Sequence, residues 1–276
     1  MMTSEWRFDA IGTAWSIGTP DPIDRATRSA ITARIDRFDR TWSRFREDST
    51  VMRLRTERSV DLGPDAVAIL TYYDRLFALS AGAVSPLVGG ALEQLGYGGG
   101  YRLTPAGEAV RVPAWPDCRR DGSVLTVPGP VVLDIGAVGK GYLAQAVADL
   151  IDGPCVVDAS GDIVNRSGAP LRVALEHPRD PEIAIAVVEV PDGEAVCGSA
   201  TNRRAWGDGL HHVLDARTGV PTRDIVAAWA GGPDAAWADG LATAAFFANA
   251  LPDGWWVALD AAGRLTGERL PGEVFA

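Results

Sequence analysis

Few side chains in the stretch 235–247 (AAWADGLATAAFF) are polar, and Asp239 and Thr243 are the two that can ligate a cation. Four residues apart, they share one face of a helix. A carboxylate on so apolar a helix needs a partner. A hard cation bound through carboxylate, hydroxyl and carbonyl oxygens supplies one, and Mg²⁺ completes its shell with water and substrate phosphate. The plain alternative is an aspartate near a helix start, satisfied by backbone amides.

Two further places combine residue types with chemistry. In 131–141 (VVLDIGAVGKG), Asp134 interrupts an apolar run, where a carboxylate is costly unless paired or hydrogen-bonded. The glycines that follow let backbone N–H groups approach a phosphate at a helix N-terminus, and Lys140 adds a point charge. The spacing is neither GxGxxG nor GxxxxGK[ST], so neither the dinucleotide fold nor the P-loop is implied. A tight turn with a solvated lysine is the alternative. In 211–219 (HHVLDARTG), strand alternation puts His211 and His212 on opposite faces, so one of them can face a given site. No further ligands lie nearby to make a zinc site. Asp215 and Arg217 form a turn with a local ion pair, and a merely hydrogen-bonded histidine remains the competing reading.

Positioning these residues requires several elements. Alternation over 6–18 predicts a strand. After Pro20-Asp21-Pro22, the spacing of Ile23, Ile31, Ile35, Phe38 and Trp42 predicts a helix with one buried face. Pro64-Asp65 starts a second helix carrying Val67, Leu70, Tyr73, Leu76 and Phe77, which ends near Gly82. Glycines and prolines mark an irregular excursion over about 96–130. A strand at 131–135 then leads into a helix bearing Leu143, Val147, Leu150 and Ile151. Strands are expected at 155–158, 171–175, 183–190, 211–214 and 225–230, a helix at 234–250 and a closing strand at 255–259. This is an α+β pattern with a mixed sheet and helices packed on it.

The chain has 276 residues, 47% hydrophobic and 22% charged, enough for one large unit or two intertwined lobes. Its formal net charge of −10 argues against nonspecific binding to nucleic acid or to an anionic membrane. Cys155 and Cys197 sit in apolar runs and read as reduced core residues, and Cys118 has no CxxC partner. The first residues lack a basic and an apolar region, and no stretch reaches the length of a membrane span. The expectation is a cytoplasmic protein with no membrane insertion.

In this order, the segments resemble the ApbE family of flavin transferases, the FAD:protein FMN transferases. The 11–16 stretch (IGTAWS) resembles its MGT-x-(F/W)-S opening, and 42–54 (WSRFREDSTVMRL) its Tyr-x-x-x-Ser stretch. The 82–86 stretch (GAVSP) sits where the family has GAFDP, and 133–142 (LDIGAVGKGY) resembles its DLGG-(I/V)-(A/G)-KG turn. Further along, 197–204 (CGSATNRR) parallels TSG-x-x-RR, 212–221 (HVLDARTGVP) its His-containing turn, and 238–243 (ADGLAT) its A-D-x-L-(A/S)-T motif.

The resemblance implies one large T-fold-like domain over 1–276 that binds FAD and Mg²⁺. It implies cleavage of the pyrophosphate, attachment of FMN to a Thr or Ser hydroxyl of a flavoprotein acceptor, and release of AMP; some members hydrolyse FAD instead. By resemblance, Asp239, Thr243 and the backbone oxygen of Ala137 hold the metal, and His212 is the general base. Asp134 and Lys140 contact FAD around the diphosphate. Ile11 and Phe45 flank a ring of the dinucleotide, and Ala83, Val84, Ser85, Val213 and Leu214 line it. Four residues depart from the pattern: Ile11 for Met, Ser85 for Asp, Ser160 for Gly and Ala216 for Pro.

Overall fold

The alternation over 6–18 is a hairpin in the computed structural model, which describes residues 2–248 and 250–275. Strands β1 (Ser4–Ala10) and β2 (Thr13–Thr19) meet at Ile11-Gly12, whose φ angles are 44° and 74°. Two residues at positive φ close a hairpin whose twist matches its strands, so one expected strand becomes two.

Helix α1 (Arg25–Trp42) follows, burying Ile31, Ile35, Phe38 and Trp42 as their spacing requires, while Ile23 precedes it. Next come β3 (Ser59–Asp61), α2 (Ala66–Leu79) and α3 (Gly89–Gln94), then β4 (Arg119–Asp121) and β5 (Val124–Thr126). Helix α4 (Gly139–Ala148) leads to β6 (Cys155–Asp158), β7 (Ile163–Arg166), β8 (Leu171–His177), β9 (Asp180–Val190) and β10 (Ala195–Ala200). Four two-residue strands come next: β11 (Ala205–Trp206), β12 (Leu210–His211), β13 (Leu214–Asp215) and β14 (Val220–Pro221). The chain continues through β15 (Ile225–Gly232), α5 (Ala235–Ala244), β16 (Trp255–Asp260), β17 (Leu265–Glu268) and β18 (Gly272–Val274).

Contacts divide the chain into two compact units, each made of separated segments. One comprises 1–36, 138–202 and 223–276; the other comprises 37–137 and 203–222. The first is built on an eight-stranded sheet in the order β1-β2-β6-β7-β10-β15-β16-β17. Its neighbouring strands all run antiparallel. The α+β class is as expected, with antiparallel rather than mixed pairing.

Alternation sorts the faces of this sheet. Val196, Ala227, Trp229, Trp255, Val257 and Leu259 join Leu175, Ile185, Val188 and Val190 of the β8–β9 hairpin in one core. The intervening residues of β10 point the other way, where the Cys197 thiol donates to the Ala235 carbonyl oxygen of α5 at 3.4 Å. Cys155 and Cys197 are buried free thiols, as their apolar settings require.

The second unit holds α2, α3, the small sheet β3-β5-β4 and the two short ladders β11–β12 and β13–β14. In α2 the buried face is Ala66, Ile69, Leu70, Tyr73 and Leu76, whereas Val67, expected inside, is 55% exposed. The expected strand at 131–135 does not form. Its amides bond singly to unrelated segments, Val131 N–H to the Leu54 carbonyl (3.0 Å) and Asp134 N–H to the Pro86 carbonyl (2.7 Å), so there is no ladder. The last helix is shorter than 234–250, and Asn249 lies outside the described residues. Among the described residues no helix is long and apolar enough to cross a membrane.

Candidate active site

Helix α5 starts at Asp234, whose side chain caps it by accepting the Trp237 N–H at 3.0 Å. Asp239 is therefore not its helix cap. It is 2% exposed and accepts the Gly141 N–H of α4 at 3.0 Å. That approach depends on glycine. A Cβ at Gly141 would stand 2.2 Å from the Ala235 carbonyl oxygen and 2.8 Å from the Asp239 Cβ. One turn on, the Thr243 hydroxyl lies 3.2 Å from that of Ser199 on β10.

The GKG segment supplies the charge beside this pair. Lys140 Nζ donates to Asp162 Oδ2 at 2.6 Å, and Asp162 is fully buried. Burial and the Asp162 carboxylate push Asp239 well above the usual carboxylate range, while Lys140 and the Gly141 N–H pull against that rise. Burial pulls the Lys140 ammonium down, but Asp162 and Asp239 more than offset it and hold it high. Fully ionised, the cluster of two carboxylates and one ammonium carries one excess negative charge, which a cation would neutralise. Among the described residues no three His, Cys, Asp or Glu side chains group to hold a metal. What Asp239 and Thr243 offer is hard oxygen in small number, the donor set that suits Mg²⁺ and not a zinc site.

In the other unit, Asp134 has the partner that its setting demands. It forms an ion pair with the buried Arg44 Nε and accepts the Gly136 N–H at 2.7 Å. Tyr73 of α2 clamps the same turn, its hydroxyl donating to the Asp134 carbonyl (3.2 Å) and accepting from the Ala137 N–H (3.3 Å). Arg44 also donates to the Tyr97 carbonyl at 2.7 Å, and its guanidinium lies 4.2 Å from the Phe45 ring centroid. Phe45 stacks on Tyr101 at 5.3 Å and 12°, and Tyr97 stacks on Trp206 at 5.3 Å and 25°.

The two histidines separate in role. His211 is buried and fully engaged, with Nδ1 accepting the Val213 N–H at 3.3 Å and Nε2 2.7 Å from the Thr222 carbonyl. That pattern puts the proton on Nε2. His212 Nδ1 is buried without a hydrogen-bond partner, and burial pushes the imidazole down to about 4. The segment after it is tied down: Val213 and Leu214 are buried, and Ala216 N–H donates to the Ala83 carbonyl at 2.9 Å. Arg217 and Asp215 form the local ion pair read from the sequence, at 2.6 Å. Ala83 and Val84 are buried, and the Ser85 hydroxyl accepts the Leu87 N–H at 3.2 Å, a capping task that Asp performs equally well.

The model of the ApbE family matches residues 11–260. This chain belongs to the ApbE family. Among its relatives, the FAD:protein FMN transferase of Klebsiella pneumoniae (strain 342) is 28% identical over 262 residues, covering 84% of this chain and 75% of that protein. The enzyme of that name from Escherichia coli (strain K12) is 28% identical over 247 residues, covering 76% and 68%. Among solved structures, the ApbE protein of Thermotoga maritima superposes with a TM-score of 0.82 at 22% identity, covering 95% of this chain and 96% of that one. The flavin transferase ApbE of Vibrio cholerae does so with a TM-score of 0.75 at 20% identity, covering 96% of each. These likenesses agree with the ApbE fold.

Three neighbours of the candidate residues are not marked by the sequence: Asp162, Arg44 and Tyr101. Asp162 stands directly before a β-branched strand, the same misplaced-carboxylate signal that exposes Asp134, but the Ser160-Gly161 turn conceals it. Arg44 and Tyr101 carry no local signal, since their partners lie 90 and 56 residues away in sequence. A cleft of about 310 Å³, lined by Asp74, Phe77, Trp115, Pro116, Cys118 and Arg120, contains none of the candidate residues.

Proposed function

We propose that this chain is an Mg²⁺-dependent FAD:protein FMN transferase. It splits the FAD pyrophosphate, joins the FMN phosphate to a Thr or Ser hydroxyl of a flavoprotein acceptor, and releases AMP. The observation that carries this reading is the buried Asp239, one helical turn from Thr243, in a cluster of two carboxylates and one ammonium with the Lys140–Asp162 ion pair. A noncatalytic flavin carrier has no use for such a cluster. Family membership and the names of the compared relatives point the same way.

Asp239 and Thr243 would hold Mg²⁺ through carboxylate and hydroxyl; the Ala137 carbonyl is added on the family resemblance, with Tyr73 fixing its turn. When bound, the ion supplies Lewis-acid stabilisation and a template for the diphosphate. Lys140 contributes a second positive charge for the same oxygens. Asp134 keeps lone pairs free for FAD beyond those taken by Arg44 and Gly136, since a carboxylate accepts at about four sites. A dinucleotide ring stacking on Phe45 would share it with Tyr101, which at 51% exposure can yield. Ile11, a β-branched residue at positive φ, is backbone strain at a candidate contact position, where such strain tends to collect. His212, kept neutral by burial, accepts the proton of the incoming hydroxyl. Positioning and charge neutralisation then supply most of the acceleration.

The test is incubation with FAD and Mg²⁺, with and without a flavoprotein domain carrying a candidate Thr or Ser, followed by mass spectrometry. An added FMN mass on the acceptor is the expected result. Free FMN and AMP without transfer would make the chain an FAD pyrophosphatase, and intact FAD would make it a carrier.

A further inference from the structure

Asp162 is a fully buried carboxylate to which the proposed reaction gives no part. The turn before it is built to place it: Ser160 and Gly161 are both at positive φ (58° and 95°), and Gly161 N–H is held by Asp158 Oδ1 at 2.9 Å. Asp162 then takes Lys140 Nζ on Oδ2 at 2.6 Å and the Gly198 N–H on Oδ1 at 3.4 Å. The Asp162 carboxylate also acts on Asp239, whose carboxyl it helps push upward. Lys140 thus stands within electrostatic reach of two buried carboxylates and is bonded to Asp162.

That choice matters for a cation. A lysine is a flexible stem with a compact charge, and it settles on the nearest anion. Bonded to Asp239, Lys140 would be an internal cation occupying the carboxylate that a divalent ion requires. We propose that Asp162 is a positioning residue that anchors Lys140 and so keeps Asp239 available to a divalent cation. Gly161 and Gly198 serve the same end by fixing the Asp162 carboxylate, and Gly141 by bringing Asp239 against α4. The inference rests on the metal reading of Asp239 and Thr243.

The test is Mn²⁺ binding to the full chain without FAD, read by electron paramagnetic resonance of the free ion. Mn²⁺ takes the same hard-oxygen donors as Mg²⁺. Asp162→Asn, which keeps the acceptor for Gly198, should weaken Mn²⁺ binding roughly 10–100-fold, the usual cost of losing a residue that orients a ligand. Lys140→Met alone should bind Mn²⁺ at least as tightly as the unsubstituted chain. The double variant Asp162→Asn with Lys140→Met should regain most of what Asp162→Asn loses, because the competing ammonium is gone. A merely structural role for Asp162 predicts a double variant as weak as Asp162→Asn, and that result would overturn the proposal. So would unchanged binding by Asp162→Asn, or loss of binding by Lys140→Met if Asp162→Asn fails to fold. Failure of the unsubstituted chain to bind Mn²⁺, or unaltered binding by Asp239→Ala, would instead strike the metal assignment beneath it.

Discussion

The two units hold their candidate residues by different physical means. In the sheet unit, Asp239 and Thr243 stand on a capped helix, Ser199 on a strand, and Lys140 in the first turn of α4. Their positions follow from regular geometry and from one close helix–helix approach at Gly141. In the loop-rich unit, His212, Asp134 and Ser85 stand in turns, and each is fixed by individual hydrogen bonds: Arg204 to the His212 N–H, Arg44 to Asp134, and Leu87 to Ser85. Regular elements position a site through packing that is shared among many residues. Turns position it through contacts that can be removed one at a time. The first kind should therefore fail cooperatively, the second piecemeal.

Substitutions can break or sharpen this contrast. The largest effect is expected at Asp239→Ala, which should abolish Mg²⁺-dependent AMP release, a fall of roughly 10³-fold if the ion is worth several kcal/mol. Its circular dichroism should stay native, and full AMP release by this variant would sink the metal assignment. His212→Ala should lower transfer roughly 10²–10⁴-fold, the usual worth of a positioned base, measured as FMN added to the acceptor. Unchanged transfer would reduce His212 to a structural part.

The pH profile sharpens that assignment. Because His212 is pushed down to about 4, its base form persists through neutral pH, and the acid limb of the rate should fall near 4 rather than near 6.5. The sign for stability is the same: a lowered folded pKa gives stability that is present above the unfolded value and lost as pH falls from about 6.5 through 4. An acid limb at 6.5 would mean an exposed, ordinary histidine.

Two smaller effects set packing against hydrogen bonding directly. Gly141→Ala forces a Cβ to 2.2 Å from the Ala235 oxygen and should cost about 1–3 kcal/mol in denaturant titration, with Mn²⁺ binding lost alongside stability. Ala216→Pro restores the residue common in the family but removes the N–H that bonds Ala83, and should cost about 1 kcal/mol with metal binding untouched. Equal losses in both properties for the two variants would erase the distinction between the units.

Legibility in the sequence follows the same division. Asp239 and Thr243 were readable because helical periodicity makes two polar residues on an apolar face conspicuous, and α5 forms where that pattern runs. The buried face of α1 is readable for the same reason, and β16 because it is a short continuous apolar run. The β-branched residues of 131–135 favour extended backbone and so suggest a strand, yet extension without a neighbouring strand makes no ladder. The turn at Ile11-Gly12 is not legible in the sequence because isoleucine rarely adopts positive φ. Arg44 is visible only through a partner 90 residues along the chain, which no local pattern can announce, and the local signal of Asp162 is hidden behind the Ser160-Gly161 turn.

The place of β15 in the sheet has a consequence for synthesis. It pairs between β10 and β16, yet its residues, 225–232, leave the ribosome after most of the chain. Until then β10 has a free edge, and α5, still later, has not been made. A nascent chain paused before residue 225 therefore presents an open strand edge, the kind of surface that recruits chaperones or other chains. The face of α5 that carries Asp239 and Thr243 is among the last parts to be assembled, and a chain released early would lack it and be prone to aggregate.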